Sequence, residues 1–350
     1  MRTWTLIAGF VLSVVGCTVP SRPPAVSWAL AIHGGAGIIE RSSITPEQEA
    51  AYRAALSTSL DTGANMLRSG GAALDAVEAT IRLLEDDPLF NAGRGAVFTA
   101  TGRNELDASI MDGATLNAGA VAGITRARHP ITVARAVMQK SPHVMLSGEG
   151  ADFFAREQKL ELVDPVFFFT ERRWLELERT LKQRGDPIPE RPAGAPKPQS
   201  AVVNESVDAR ELGTVGVVAL DSHGNLAAGT STGGTTGKRW GRVGDSPIIG
   251  AGTYASNQSC AVSGTGTGEF FIRLTIAREI CALVQYKQYE IQQAADEVIQ
   301  QQLTALKGTG GVIAVSSKGD LAWSFNTSGM YRAQVSANGA HQISIFKDEP

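Results

Sequence analysis

A break in composition divides this 350-residue chain into two segments. Residues 184–210 are rich in proline, glycine and charge and nearly free of large apolar side chains, so they cannot bury enough surface to order themselves. The β-branched run GTVGVVAL, residues 213–220, follows at once and predicts a buried strand. We therefore predict a mobile linker over residues 184–213, between folded segments 27–183 and 214–350.

Strand and helix patterns occur in both segments. Residues 28–32 and 118–124 read as buried strands, a capped helix begins at Thr45, and a second, amphipathic helix carries Leu74. Apolar residues at helical spacing predict one continuous helix over residues 269–286. Strands and helices do not alternate strictly, which favours a layered α/β fold with one sheet packed on another.

Composition excludes several classes of function. The net charge is −3 and no Lys/Arg run offers a footprint to a phosphate backbone, so nucleic acid is not an expected partner. The five histidines show no metal-binding spacing such as HExxH, and no GxSxG nucleophile elbow is present. Cys260 and Cys281, without a CxxC motif, predict buried thiols rather than a zinc site or a disulfide.

The first 26 residues carry signs of export. Residues 4–15 form an apolar stretch after a positive start, too short to span a bilayer comfortably. Val-Val-Gly-Cys17 resembles a bacterial lipoprotein box, and a proline-rich tether follows it. A plain secretory signal and an uncleaved anchor are the alternatives. We expect a periplasmic protein that touches the membrane only through a lipid on Cys17.

Threonine and glycine are dense between residues 213 and 268, and Thr214 is a candidate nucleophile. A threonine hydroxyl needs an adjacent base, and a free α-amine with a pKa of about 7.7–8.0 can serve at neutral pH. Releasing that amine requires cleavage of the Gly213–Thr214 bond. A glycine between a linker and a strand suggests a strained, accessible bond there. Without cleavage, Thr214 is simply a β-branched residue that opens a strand.

Ordered motifs along nearly the whole chain resemble the plant-type asparaginase and isoaspartyl peptidase family. They are HGGAG from residue 33, FNAGRG from 90, ELDASIMDG from 105, AGAVAG from 118, SPHVMLSGEGA from 141, GTVGVVALD from 213, STGG from 231, GRVGDSPIIGAG from 241, TGTGE from 265 and FNTSGMYRA from 325. The resemblance implies an N-terminal-nucleophile hydrolase with a four-layer αββα sandwich. It further implies self-cleavage into two chains that stay associated in a homodimer of αβ units. The substrate would be L-asparagine or β-aspartyl (isoaspartyl) dipeptides, with no catalytic cofactor.

The same resemblance assigns catalytic roles. Thr214 becomes the nucleophile with its own amine as base, and Thr232 polarises or positions its hydroxyl. Asn91 orients groups around the nucleophile, although an asparagine in a turn is the simpler interpretation of that residue alone. Thr265 and Gly266 become the oxyanion hole. Read without the resemblance, the glycine-rich sequence around them is a weak phosphate-loop look-alike.

Substrate and ion binding are also implied by the resemblance. Arg242 and Asp245 hold the substrate's α-carboxylate and α-ammonium, which suits the chemistry of a guanidinium and a carboxylate. A surface salt bridge is their alternative. Gly268 lines the substrate side. A structural sodium ion is implied in a loop whose main-chain carbonyls would be its ligands, those of Leu84, Glu85, Asp87, Phe90, Ala92 and Arg94.

The chain departs from the family on the loop before Arg242. Gly237 occupies a position at which the family usually has asparagine. Near the position of Trp240 the family commonly has proline or a hydrophobic residue. Two other functions are weighed beside the amidohydrolase. One is a glycosylasparaginase, against which the TGTGE motif argues. The other is a non-catalytic, aspartate-binding lipoprotein on the same scaffold.

Overall fold

The computed structural model of the protein describes residues 1, 28–196, 211–339 and 341–349. Within these residues the strands form two sheets. The strands of the first sheet are β1 (Ala29–Gly37), β2 (Leu106–Asp112), β3 (Ala118–Ile124), β4 (Met145–Ser147), β5 (Glu211–Leu212), β6 (Val215–Leu220), β7 (Leu226–Thr232), β12 (Gly329–Ser336) and β13 (Gln342–Phe346). Those of the second are β8 (Thr253–Ala255), β9 (Cys260–Gly266), β10 (Gly310–Ser316) and β11 (Leu321–Phe325).

The helices cover the outer faces of both sheets. They are α1 (Pro46–Arg68), α2 (Ala73–Asp86), α3 (Pro130–Lys140), α4 (Gly148–Glu157), α5 (Glu171–Arg184), α6 (Gly268–Leu274), α7 (Ile276–Lys287) and α8 (Ile291–Asp296), which continues as a π-helical segment, Glu297–Leu303. Helices α1 to α3 pack on the first sheet, and α7 and α8 pack on the second. The predicted layered α/β fold, a four-layer αββα sandwich, is therefore confirmed.

The first sheet runs in the order β13-β12-β1-β6-β7-β2-β3-β4, with β5 paired to β1, and the second in the order β11-β10-β9-β8. Apolar side chains from both sheets fill the layer between them. Its members include small residues that let the sheets approach closely, among them Ala29, Ala31, Val218, Ala228, Ala261 and Val315. Because side chains alternate along a strand, polar residues of matching parity in the same strands also face this layer.

The predicted start of α1 is confirmed by its cap. Thr45 Oγ1 accepts a hydrogen bond from Gln48 N at 3.2 Å, and Gln48 Oε1 accepts one from Thr45 N at 2.9 Å. The prediction of one helix over residues 269–286 is wrong, because Thr275 adopts a left-handed φ of 48° and separates α6 from α7. Apolar spacing continues across this break, so the pattern does not reveal it.

Residues 185–196, the first part of the predicted linker, lie against α5. Arg191 donates two hydrogen bonds to the carboxylate of Glu171, both at 2.7 Å. Residues 197–210 lie outside the described residues, and the mobility of the linker stays a prediction. The next described residues form β5, which pairs with β1 and directly precedes the strand predicted over residues 213–220.

The proposed signal peptide, Cys17 and the tether to residue 26 all lie outside the described residues. Across the ranges that the structure does describe, no helix is both long and apolar enough to cross a membrane. Export and lipidation stay predictions.

Cys260 and Cys281 form a disulfide, so the prediction of two buried free thiols is wrong. Cys260 begins β9 and Cys281 lies in α7, which packs on the outer face of that strand, and their Cα atoms are 5.4 Å apart. The pairing arises from tertiary packing of helix on sheet, which a separation of 21 residues in the sequence does not reveal.

We expect Cys281→Ser to lower the free energy of unfolding by about 2–4 kcal/mol, because the cross-link restricts the unfolded chain. Urea denaturation of the wild type and the variant, each with and without a thiol reductant, measures this. Reductant should destabilise the wild type by a similar amount and leave Cys281→Ser unchanged. Equal stability of the wild type in both buffers would contradict the expectation.

Candidate active site

Thr214 lies directly before β6 in the middle of the first sheet, with 9% of its surface exposed. Its Oγ1 is 2.9 Å from Oγ1 of Thr232, the last residue of β7. The antiparallel register, with Val215 opposite Ser231, brings these two hydroxyls together across the ladder. Thr232 Oγ1 also accepts a hydrogen bond from Gly234 N at 3.0 Å, which fixes it at the turn. The two predicted threonines are therefore in contact.

The Gly213–Thr214 bond is buried, which contradicts the expectation of an accessible bond. Asn91 N donates to Gly213 O at 2.9 Å. A Cβ at residue 213 would lie 2.9 Å from Asn91 Cβ and 3.0 Å from Asn91 N, so glycine is needed for this close approach. Access from outside is unnecessary for self-cleavage, because the attacking atom would be Oγ1 of the next residue.

Asn91 holds the turn that follows Thr232. Its Oδ1 accepts from Val97 N at 2.9 Å, its Nδ2 donates to Gly234 O at 2.7 Å, and its main-chain O accepts from Gly233 N at 3.0 Å. These partners determine which way the amide points. Asn91 thus contacts both the carbonyl of Gly213 and the turn beside Thr214, as the orienting role predicted for it requires.

Asp245 presents a buried carboxylate with one unpartnered oxygen. It is 5% exposed, and its Oδ2 has no hydrogen bond within the described residues. Burial raises the pKa of Asp245 to about 7, although the charge of Arg242 opposes the rise. A Cβ on Gly268 would lie 2.8 Å from Asp245 Oδ1 and 3.0 Å from Arg242 Nη2. The main chain therefore passes close to both charged groups at Gly268, and a side chain at this position would clash with them.

Arg242 does not pair with Asp245 but with Glu269. Its Nε and Nη2 donate to the two carboxylate oxygens of Glu269 at 2.9 and 3.1 Å. The Glu269 side chain is 57% exposed, so this pair lies at the surface of the site. Here the carboxylate of Glu269 occupies the guanidinium fork in the manner of a ligand carboxylate. The sequence contained Glu269 in the TGTGE motif but assigned it no role.

Thr265 and Gly266 end β9 on the opposite sheet. Ala261 faces the first sheet, so Ser263 and Thr265, at the same parity, face it as well. Thr265 is fully buried and its Oγ1 has no hydrogen-bond partner within the described residues. Such an orphan donor in a native interior calls for an explanation, and a bound ligand supplies one. A Cβ on Gly266 would lie 2.5 Å from Thr309 O, so that position requires glycine.

The loop before Arg242 explains one departure from the family. Gly237 has a φ of 68°, in the left-handed region that glycine adopts freely and that asparagine tolerates better than most residues. Glycine in place of asparagine therefore preserves the backbone there. Trp240 has a φ of 56° and is 94% exposed.

His33 was named in the sequence analysis only as the start of a glycine motif, yet it contacts the backbone of Thr214. Its Nδ1 lies 3.0 Å from Thr214 O and its Nε2 3.0 Å from Ser263 Oγ. These residues lie 181 and 230 positions from His33 along the chain. No local pattern could have indicated either contact.

The loop predicted to hold sodium contains converging carbonyl groups. A Cβ on Gly93 would lie 2.2 Å from Glu85 O, and one on Gly95 would lie 2.0 Å from Phe90 O and 2.7 Å from Pro88 O. Glycines at these two positions let the loop backbone pack closely against main-chain carbonyls, two of which, those of Glu85 and Phe90, are predicted ligands. Two further predicted ligands accept one backbone hydrogen bond each through their carbonyls, Asp87 and Ala92. The residues present fit a hard cation bound by main-chain oxygens.

Comparison with known proteins adds an independent observation. The family model described as asparaginase matches residues 26–345. The isoaspartyl peptidase of Escherichia coli strain K12 is 48% identical over 320 residues, which cover 91% of this chain and 96% of that protein. The isoaspartyl peptidase/L-asparaginase of Rattus norvegicus is 40% identical, covering 94% of this chain and 92% of its own. The plant-type L-asparaginase of Pyrococcus furiosus is 42% identical, covering 86% and 94%.

Proposed function

The chain belongs to the asparaginase family, a family of hydrolases, and we propose that it cleaves itself before Thr214 and then releases L-aspartate from L-asparagine and β-aspartyl dipeptides. The contact between the hydroxyls of Thr214 and Thr232, directly after a bond whose carbonyl is held by Asn91, carries this proposal. The names of the relatives, isoaspartyl peptidase and L-asparaginase, support the same substrate class.

Self-cleavage begins with attack of Thr214 Oγ1 on the carbonyl carbon of Gly213. The hydroxyl proton passes to the departing α-nitrogen, the C–N bond breaks, and an ester joins Gly213 to Thr214 Oγ1. Water hydrolyses this ester and leaves a Gly213 carboxylate, a free hydroxyl and a free α-amine. Asn91 N–H donates to the carbonyl oxygen on which negative charge develops, a role worth about 2.7–4 kcal/mol per donor in other enzymes.

Turnover uses the liberated amine as the base. It takes the proton of Thr214 Oγ1 as that oxygen attacks the side-chain carbonyl of the substrate, and Thr232 orients the hydroxyl at 2.9 Å. The unpartnered Thr265 Oγ1 and the main chain of Gly266 stabilise the oxyanion. Ammonia or an amino acid leaves with a proton from the amine. Water then hydrolyses the aspartyl ester and releases aspartate.

Recognition of the substrate rests on two opposite charges. The Asp245 carboxylate, buried and without a partner at Oδ2, binds the α-ammonium. Arg242 binds the α-carboxylate in the bidentate manner that it now uses toward Glu269. The lack of a side chain at Gly268 lets the main chain pass close to both anchors without a clash. An aspartyl group with free α-amino and α-carboxyl groups satisfies both anchors, and an acylated or amidated one does not.

The pKa of Asp245, about 7, predicts how substrate binding depends on pH. Only the ionised carboxylate attracts an ammonium, so below pH 7 kcat/KM should fall about tenfold per pH unit beyond the fall that protonation of the Thr214 amine causes. The neutral Thr214 amine is required in both kcat and kcat/KM, whereas free-enzyme Asp245 affects kcat/KM alone. Asp245→Asn should therefore remove the part of the fall in kcat/KM at low pH that protonation of Asp245 causes. The pH profile of kcat should stay unchanged. Identical profiles in variant and wild type would contradict this role.

Mass spectrometry of purified protein tests the proposed function. Two fragments are expected, the second beginning at Thr214, and the preparation should hydrolyse L-asparagine and a β-aspartyl dipeptide. Glycosylasparaginase activity would appear as faster release from N-acetylglucosaminyl-asparagine. A binding protein would retain aspartate without turnover. An active preparation with residue 214 still acylated by Gly213 would exclude the proposed mechanism.

The sodium ion is part of the proposal, as a structural group held by loop carbonyls such as those of Glu85 and Phe90. A cation that binds the folded state alone stabilises it by about 2.7 kcal/mol at a concentration 100 times its Kd. We expect the melting temperature to rise with NaCl well beyond its rise with choline chloride at the same ionic strength. Identical curves in the two salts would exclude the site.

The αβ units are proposed to form a homodimer, which rests on the resemblance alone. Size-exclusion chromatography with light scattering distinguishes a single unit from a pair. Processed protein that elutes with the mass of a single αβ unit would contradict the dimer.

Export with a lipid on Cys17 is proposed from the sequence of the N-terminus. The Cys260–Cys281 disulfide supports the export half, because such bonds persist mainly in oxidising compartments. Labelled palmitate should enter the wild type and not Cys17→Ser, and both proteins should leave the cytoplasm. A cytoplasmic location of the wild type would contradict export.

A further inference from the structure

A chain of buried polar side chains crosses the layer between the sheets. It starts at the carbonyl of Thr214 and ends at the carbonyl of Ser246, the neighbour of Asp245. The side chains between these ends come from β1, β9, β7, β8 and β2 and are each fully buried: His33, Ser263, Thr230, Thr253 and Ser109. The chain therefore connects the nucleophile with the loop that carries the proposed ammonium anchor.

The first hydrogen bond of this chain fixes the tautomer of His33. The Thr214 carbonyl can only accept, so Nδ1 carries the proton and donates to it at 3.0 Å. Nε2 then accepts from Ser263 Oγ–H at 3.0 Å. Burial lowers the pKa of His33 to about 3, so the ring stays neutral and keeps this donor throughout the neutral range. Both ring nitrogens are satisfied.

Hydroxyl groups continue the chain from Ser263. Thr230 Oγ1 is 2.6 Å from Ser263 Oγ, and Thr253 Oγ1 donates to Thr230 Oγ1 at 2.6 Å. Ser109 shares its single proton between Thr253 Oγ1 at 2.8 Å and Ser246 O at 2.5 Å. Each hydroxyl–hydroxyl contact joins a strand of one sheet to a strand of the other, so the chain sets the relative position of both sheets at this end of the layer.

The backbone of β6 leaves room for the chain at Gly216. A Cβ there would lie 2.0 Å from Ser263 Oγ and 2.2 Å from His33 Nε2. No other residue fits at position 216 while the imidazole and the serine hydroxyl meet. The glycine in Gly-Thr-Val-Gly216 is thus explained by the polar chain beneath it.

We propose that His33 is a positioning residue that fixes the peptide plane from which both the freed α-amine and the hydroxyl of Thr214 project. After self-cleavage Thr214 is a chain end and loses the restraint of the preceding peptide. A tilt of the peptide plane that follows it would move the amine and Oγ1 together away from Thr232, and the hydrogen bond from His33 Nδ1 to the Thr214 carbonyl opposes that tilt. This inference rests on Thr214 being the nucleophile.

The test compares His33→Asn with His33→Leu in the full chain. The asparagine amide can place a donor close to the position of Nδ1, whereas leucine keeps the bulk and removes the donor. We expect kcat, normalised to the cleaved fraction on a gel, to fall about 10- to 100-fold in His33→Leu, with KM within about twofold of the wild type. His33→Asn should retain kcat within about fivefold.

Ser263→Ala provides a second variant in case His33→Leu does not fold. It leaves the Nδ1 donor but removes the partner of Nε2, and kcat should fall by about three- to tenfold. Ser259→Ala is the matched control, because Ser259 is a buried serine just before the same strand with no hydrogen bond through its hydroxyl in the described residues. Its kcat should not change.

The outcomes separate the inference from the proposed function. Unchanged kcat in folded His33→Leu and in Ser263→Ala would overturn the positioning role while leaving Thr214 as nucleophile. A loss in His33→Asn equal to that in His33→Leu would also overturn it, since the donor would then be irrelevant. Full hydrolysis by Thr214→Ala would instead overturn the proposed function.

Discussion

Thr214→Ala should remain a single full-length chain and lose hydrolytic activity by at least about 10⁴-fold, the scale seen when an enzyme loses its nucleophile. The variant lacks the hydroxyl that attacks Gly213, so no new N-terminus forms and no amine becomes available as base. The fold should survive, because among the described residues the Thr214 side chain makes a single hydrogen bond, to Thr232 Oγ1. Denaturing gels and ammonia release from L-asparagine measure the two effects.

Thr214→Ser is the matched control for this prediction. Serine keeps a hydroxyl and, after cleavage, an α-amine, so cleavage should proceed and some hydrolysis should remain. The β-methyl group of threonine restricts the side-chain rotamer, and its loss should lower kcat. Cleavage of Thr214→Ala at the same bond would show that another group attacks Gly213.

Arg242→Gln should reduce kcat/KM for L-asparagine by a factor of about 30 to 4,000, equivalent to the 2–5 kcal/mol lost when a buried charge pair is truncated. The effect should lie mainly in KM, because Arg242 would hold a part of the substrate that does not react. Self-cleavage should be normal, since the described contacts of the scissile carbonyl involve Asn91 and not Arg242. Steady-state kinetics on fully processed protein give the required values.

Glu269→Gln is the matched control for Arg242→Gln. Its exposed pair with Arg242 contributes about 0–1 kcal/mol, so kcat/KM should change by no more than about fivefold. A modest fall in KM is consistent with release of the guanidinium for the substrate. If both variants showed the same small effect, Arg242 would not be the carboxylate anchor.

Helices with an apolar stripe were the most predictable elements. The cap at Thr45 and the stripe after it placed α1 correctly, because both signals are local. Strand β12 gave no such signal. It lies between β13 and β1 with nearly all of its residues buried, Arg332 included, so the alternation of polar and apolar residues that marks a half-exposed strand is absent.

Some contacts of the candidate site could be predicted from the sequence and others could not. Thr214, Thr232 and Asn91 could be named from motifs, and the structure places them in mutual reach. The link from His33 to Ser263 and the bond from Cys260 to Cys281 could not be named. Each joins residues from elements that meet only after the sheets and helices pack, and no spacing rule encodes such a meeting.

The order of strands in the first sheet has a consequence for maturation. Strand β1 precedes the proposed cleavage site and is hydrogen-bonded on its two sides to β12 and β6, which both follow that site. Strand β2, which also precedes the site, lies beside β7, which follows it. Strands of the two proposed products therefore alternate within one sheet, so cleavage before Thr214 would cut the chain without releasing either part. Moreover, Asn91 contacts Gly213 before the proposed cleavage site and Gly234 after it, so its environment is complete only when both halves have folded together, and cleavage would follow folding.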